Sequence, residues 1–147
     1  IKDAIASGKP FLGICLGLQI LFDASEEGKE AGLGIVPGMV RRFQPEPNIT
    51  IPHMGWNQLD LTQPDCTLWK DLPENPWLYF VHSYYVDPID SDIRAATITH
   101  GSQTVTAAIA RENLMAVQFH PEKSSTAGLQ LLSNFVQLVN QRQPIQV

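Results

Sequence analysis

Five residues near the start of the chain, Gly13-Ile14-Cys15-Leu16-Gly17, constrain its fold more than any other run. They stand between an apolar strand-like segment (Phe11, Leu12, Ile14) and a helix-like one (Leu18, Ile20, Leu21, Phe22). A Gly-x-nucleophile-x-Gly run in that setting is the pattern of a nucleophile elbow, with sulfur in place of the usual hydroxyl. The two glycines let strand and helix cross closely at a strained turn. The side chain between them is then exposed over the start of the helix, where the dipole and free N–H groups favour a thiolate.

The rest of the chain alternates apolar runs with turn signals and helical stretches. Residues 1–7 read as the end of a helix closed by Gly8, and 10–15 as a buried strand. The helix leaving the elbow is expected over 16–24. Segments 36–43, 56–61, 77–86, 93–99, 104–110 and 114–119, rich in β-branched and aromatic residues, read as strands. A closing helix begins near residues 124–126, where hydroxyls can cap it, and carries Leu129, Leu132, Phe135, Val136 and Val139 on one face. The expected architecture is an α/β layered domain, a central sheet covered by helices with antiparallel hairpins on one side. At 147 residues and 44% hydrophobic, the chain is one domain able to bury a real core. Its first residue is not Met and arrives mid-helix just before a buried strand, so an N-terminal segment is expected to be missing, together with strands that would pair with 10–15.

Charged residues make up 17% of the chain and the net charge is −5, which argues against nucleic acid or an anionic membrane as partner. No apolar run is long enough to span a bilayer, and Ile1-Lys2-Asp3 is not the start of a signal peptide, so the cytoplasm is the expected compartment. Cys15 and Cys66 lie far apart without a CxxC, which speaks against a disulfide framework or a zinc knuckle. The histidines (His53, His82, His100, His120) show no HExxH or other close ligand spacing, so neither a metal nor a cofactor is expected. His100, within Thr99-His100-Gly101-Ser102, reads as a turn residue.

His120-Pro121-Glu122 forms a second constellation. The Pro121 ring disfavours αR for His120 and holds it extended. In an extended segment residues two apart share a side, so Glu122 can take up an imidazole N–H and serve as the orienter of a histidine base. A strand-end histidine beside a solvated glutamate is the alternative. Co-occurrence with the cysteine elbow, in the order nucleophile, histidine, acid, favours the triad.

The runs Pro10-Phe11-Leu12-Gly13-Ile14-Cys15-Leu16-Gly17-Leu18-Gln19 and Gln118-Phe119-His120-Pro121-Glu122 resemble the two signatures of class I (triad) glutamine amidotransferases. Pro52-His53-Met54-Gly55-Trp56-Asn57, Phe80-Val81-His82-Ser83-Tyr84 and the extension Lys123-Ser124-Ser125 resemble, within that class, the glutaminase subunits of imidazole glycerol phosphate synthase. The resemblance covers essentially the whole chain. It implies a central, mostly parallel sheet flanked by helices with added antiparallel strands. It also implies hydrolysis of glutamine to glutamate and ammonia, with the ammonia delivered to a (β/α)8-barrel cyclase subunit in a heterodimer of histidine biosynthesis. An amidotransferase serving another synthase, and an inactive regulatory subunit of the same fold, are the competing readings.

The resemblance also assigns roles. Cys15 is the nucleophile, His120 the acid and base, and Glu122 the group that holds its tautomer. The Leu16 N–H is the first oxyanion donor, and the second is expected upstream of residue 1. Gly17, Gln19, Glu27, His82, Ser83 and Tyr84 bind substrate. Gln19 would share a helix face with Cys15. A surface glutamine, a solvated acidic turn and ordinary strand residues are the bland alternatives for Gln19, Glu27 and the His82-Ser83-Tyr84 strip. His53, Met54, Trp56, Asn57 and Lys123 face the cyclase, Trp56 as an aromatic anchor. The competing reading places Trp56 in the core, where Trp69 and Trp77 are also expected.

Overall fold

Residues 114–117 are apolar and buried at every position, as a strand covered on both faces must be. The structure, a computed structural model, describes residues 1–142. In chain order its regular elements are α1 (Lys2–Ala6), β1 (Phe11–Ile14), α2 (Leu16–Gln19), β2 (Phe22–Ser25), β3 (Val36–Arg42), β4 (His53–Gln58), β5 (Asp60–Leu61), β6 (Trp77–His82), β7 (Tyr84–Pro88), β8 (Arg94–His100), β9 (Gln103–Arg111), β10 (Leu114–Val117) and α3 (Ser125–Arg142). Eight strands form one sheet whose main path is β1-β10-β9-β7-β3-β2, with β8 on β9 and β5 on β8; β4 and β6 make a separate antiparallel pair. Alternation along β10 feeds two cores. Leu114 and Ala116 join Leu18, Phe22, Val36 and Val40 on one face, and Met115 and Val117 join Phe43, Leu78, Phe80, Phe119 and Leu131 on the other.

The sheet is mixed rather than mostly parallel. Among the described residues only β1–β10 and β2–β3 pair in parallel, and the other pairings are antiparallel. The connections β8–β9 and β9–β10 are two residues each, and a tight hairpin can only return antiparallel. The elbow helix is also shorter than expected. It ends at Gln19, because Phe22, fully buried, extends into a strand beside β3, and Asp23 Oδ2 accepts the Gly38 N–H at 3.0 Å. The run 77–86 is two strands in different sheets, divided at Ser83, whose carbonyl accepts the Phe43 N–H. The strand expected from Trp56 begins three residues earlier, at His53.

The closing helix buries only part of the face its hydropathy suggests. Gly128, Leu131 and Asn134 are buried, with Ala127, Phe135 and Leu138 packed on the core, whereas Leu129 and Val136 are exposed. Asn134 explains the rotation: its amide donates to the carbonyls of Leu68 and Lys70 at 2.9 and 2.7 Å, satisfying a backbone turn that an apolar side chain would leave orphaned. No helix among the described residues is long and apolar enough to cross a membrane.

Candidate active site

β1 delivers Cys15 to its place. Ile14 lies opposite Val117, and the Cys15 N–H continues the ladder by donating to the Val117 carbonyl at 2.8 Å. The chain then turns sharply, with Cys15 at φ 54°, a left-handed conformation that costs a non-glycine residue about 1–3 kcal/mol. Gly13 is required there, since a Cβ would overlap the Gly17 carbonyl and press the Ala116 Cβ at 3.1 Å. Gly17 is not required for packing: a Cβ on it would meet nothing within 4 Å. With α2 reduced to one turn, little macrodipole acts on the sulfur. Burial pushes the Cys15 thiol above its ordinary range, against the Leu16 N–H and the Gln118 amide, which lower it, while the Glu122 charge raises it further. The expectation of a thiolate favoured by the helix start is therefore corrected: the resting group is a thiol that needs a base.

His120 and Glu122 meet through Nδ1 and Oε1 at 2.6 Å. The contact does not come from strand alternation. Pro121–Lys123 forms a 3₁₀ turn, with Pro121 at its start, and the turn folds Glu122 back beneath the imidazole. The backbone of His120 is fixed on β6, its N–H donating to the Tyr79 carbonyl at 3.0 Å. Buried Ser124 completes the clamp, accepting the Tyr79 N–H at 2.9 Å and donating to the His120 carbonyl at 2.6 Å. Gly128 allows α3 to seat on this turn, because a Cβ there would overlap the Pro121 carbonyl. The sequence offers Ser124 only as a candidate helix cap and Gln118 only as part of a signature run, with no role at the site for either. Gln118 is 0% exposed, and its Nε2, 3.7 Å from Cys15 Sγ, makes the side-chain hydrogen bond to the sulfur that a triad would draw from His120.

Beside Cys15 opens a cleft of about 330 Å³ lined by Leu16, Gln19, Glu27, His82, Ser83 and Tyr84 among others. Gly17 does not line it. The Tyr84 carbonyl accepts from both His82 Nδ1 at 2.8 Å and Gln19 Nε2 at 3.3 Å. Burial drives His82 to a pKa of about 4, so its ring is neutral at pH 7, with the proton on Nδ1.

The β4–β6 pair divides the residues assigned to a partner by period-two alternation. Met54 and Trp56 point out to solvent alongside Trp77, and Trp56 rests against the Tyr79 ring with centroids 6.1 Å apart. His53 and Asn57 point the other way. His53 is 5% exposed, and its Nε2 accepts from Asn57 Nδ2 at 3.1 Å, so it belongs to the interior and not to an exposed face. His100 is likewise more than a turn residue: it ends β8, packs 4.3 Å from the His53 ring and donates from Nε2 to the Thr50 carbonyl. Trp69 is buried as expected, but Trp77 and Trp56 are not core residues. Lys123 is exposed beside Glu122. Among the described residues no cluster of three or more His, Cys, Asp or Glu side chains is arranged to hold a metal ion.

An elbow cysteine, a histidine–glutamate pair on the neighbouring strand end and a mixed sheet covered on both faces define a class, and comparison with known proteins agrees. The glutamine amidotransferase class-I family matches residues 1–138, and the chain belongs to that family. At the level of particular proteins, it is 76% identical over 144 residues to the imidazole glycerol phosphate synthase subunit HisH of Nostoc punctiforme, a match covering 98% of this chain and 68% of that one. The protein of the same name from Microcystis aeruginosa is 77% identical over 139 residues, covering 95% and 66%. The chain thus spans about two thirds of the length of the curated relatives it matches. Among solved structures, the glutaminase domain of a Trypanosoma brucei CTPS with bound acivicin superposes with a TM-score of 0.69 at 20% identity, covering 99% of this chain and 66% of that one. A glutamine amidotransferase from Thermotoga maritima gives 0.59 at 18%, covering 96% and 53%. These two share the fold.

Proposed function

We propose that the chain is the glutaminase part of an imidazole glycerol phosphate synthase, working in the cytoplasm as one half of a heterodimer with a (β/α)8-barrel cyclase. The observation that carries the chemistry is the left-handed Cys15 opening on the cleft, near enough to Glu122, the hydrogen-bond partner of His120, to feel its charge. The high identity to proteins named as HisH subunits supports the acceptor. The reaction runs in two halves. His120 takes the thiol proton and Cys15 Sγ bonds to the carboxamide carbon of glutamine, giving a tetrahedral oxyanion that the Leu16 N–H receives. The C–N bond breaks as His120 returns the proton to the leaving nitrogen, releasing ammonia and leaving a thioester. His120 then takes a proton from water, whose oxygen attacks the thioester carbon. The C–S bond breaks, the sulfur is reprotonated, and glutamate departs. Glu122 accepts from Nδ1 and steadies the imidazolium in both halves.

Gln19, Glu27 and the His82-Ser83-Tyr84 strip bind the substrate, Glu27 by offering an anion to the ammonium of the amino acid. Met54 and Trp56 supply an apolar, aromatic contact to the cyclase, and exposed Lys123 supplies an ion pair. The test uses the full-length protein with its cyclase. Cys15→Ala should abolish synthesis from glutamine and leave synthesis from added ammonium salt intact. Loss of both activities, or ammonia release by the wild type that ignores the cyclase and its nucleotide ligand, would overturn the reading.

A further inference from the structure

The buried amide of Gln118 has two ends, and both meet groups of the cleft. The directions of its hydrogen bonds follow from one fixed point. The Tyr84 carbonyl can only accept, so the Gln19 terminal atom 3.3 Å from it is the amide nitrogen. That nitrogen carries a second hydrogen, directed 3.1 Å to Gln118, where the atom must be the oxygen. The other end of Gln118 is then NH₂, and it faces Cys15 Sγ at 3.7 Å as a donor. The chain Tyr84 carbonyl, Gln19, Gln118, Cys15 sulfur is thus polarised one way, and reversing either amide would oppose two like atoms. A second consequence concerns Gln19. Both of its N–H groups are occupied, so Oε1 alone remains to meet a substrate, and it can only accept from an N–H.

We infer that Gln118 is a positioning residue that serves both halves of the site, its nitrogen stabilising the Cys15 sulfur as a thiolate and its oxygen locking Gln19 with Oε1 toward the cleft. This rests on the glutaminase reading above for the identity of the substrate, but the contact to sulfur does not depend on it. Full burial makes the assignment specific. A buried amide without partners is costly, and both ends of this one find theirs at the reaction centre and the pocket wall. A residue that only filled space there would be apolar, like its neighbours Val117 and Phe119.

Two substitutions separate the two ends in the full-length protein with its cyclase, on a Cys66→Ser background and with modification at Cys15 read by peptide mass mapping. Gln118→Met keeps the length and loses both functions. Gln118→Glu keeps an oxygen for Gln19 and puts an acceptor against the sulfur. The rate of Cys15 alkylation by iodoacetamide, followed against pH, reads the sulfur end. The profile should move to higher pH in both variants, farther in Gln118→Glu. Glutamine turnover reads the other end: kcat/KM should fall roughly tenfold to hundredfold in both, as expected for losing a hydrogen bond to a charged group, with KM raised only in Gln118→Met. Alkylation profiles unchanged from the wild type would overturn the inference. Gln118→Glu, matched in shape, keeps the test decisive where Gln118→Met fails to fold. A shifted alkylation profile in a protein whose wild type does not hydrolyse glutamine would overturn the glutaminase reading and leave the Gln118–Cys15 contact standing.

Discussion

Ser124→Ala tests how the base is held. The hydroxyl, 1% exposed, joins two backbone groups, the Tyr79 N–H and the His120 carbonyl. The two losses are unequal. The His120 carbonyl also accepts the Lys123 N–H at 3.0 Å and stays satisfied. The Tyr79 N–H points away from β4, on the same edge as the carbonyl that receives the His120 N–H, so losing Ser124 leaves it without an acceptor. An orphaned buried donor costs about 1–3 kcal/mol. At about 2–4 °C per kcal/mol for a chain of this size, the melting temperature should fall by about 2–12 °C. The catalytic consequence is separate. His120 keeps its Glu122 partner but loses one of the bonds that hold its backbone to β6, so kcat should fall by about tenfold while KM for glutamine, under the proposal that Gln19, Glu27 and the His82–Tyr84 strip bind it, changes little. Thermal unfolding of the full-length protein and a coupled glutamate assay with the cyclase measure both effects. A melting temperature within about 1 °C of the wild type together with an unchanged kcat would refute the clamp.

Three other outcomes follow from the same geometry. Stability should fall as pH drops from about 6.5 towards 4, because His53 and His82 are held neutral by burial with pKa values of about 4 and the unfolded chain binds the protons that the folded state refuses; full titration of each ring is worth about 3 kcal/mol, and urea unfolding at pH 7, 5.5 and 4.5 that gave one midpoint would contradict it. Trp56→Ala, at a half-exposed position, should change unfolding free energy by less than about 1 kcal/mol yet weaken cyclase binding by about 2 kcal/mol or more, roughly thirtyfold, by calorimetric titration; unaltered affinity would remove Trp56 from the interface. Cys66→Ser should leave glutamine turnover unchanged, since Cys66 lies away from the cleft with its thiol pushed up by burial; faster alkylation at Cys66 than at Cys15 would reverse the assignment of the reactive thiol.

The local backbone at Cys15 and His120 is more legible in the sequence than the layout of the sheet. Gly13 before Cys15 and Pro121 after His120 act on their immediate neighbours, and local rules survive folding. The elbow helix reads too long because Phe22 and Leu21 suit a helix face as well as a strand, and only the presence of β3, which begins eleven residues after β2 ends, decides for the strand. α3 is rotated for a related reason. Of the stripe Leu129, Leu132, Phe135, Val136 and Val139, Phe135 packs on the core but Leu129 and Val136 stand exposed, since Asn134 is drawn inward by two carbonyls that hydropathy does not register. His53 belongs to a motif that reads as one outward-facing block, whereas a strand sends alternate residues of any block in opposite directions. Gln118 and Ser124 carry no local signal for the contacts they make. Their value comes from partners up to 103 residues away in the chain.

The contact between Gly13 and the Gly17 carbonyl has a consequence for how such a site can change over time. What stands in the way of a side chain at Gly13 is main chain on one side and a buried alanine of β10 on the other, so no neighbouring rotamer can move aside to make room. Residue 15 itself lines the open cleft, and serine there would keep an acceptor for the Gln118 amide. The nucleophile is therefore free to vary by single substitutions while the backbone that presents it is not, and a lineage that lost the reaction would retain the shape of the elbow long after losing the sulfur.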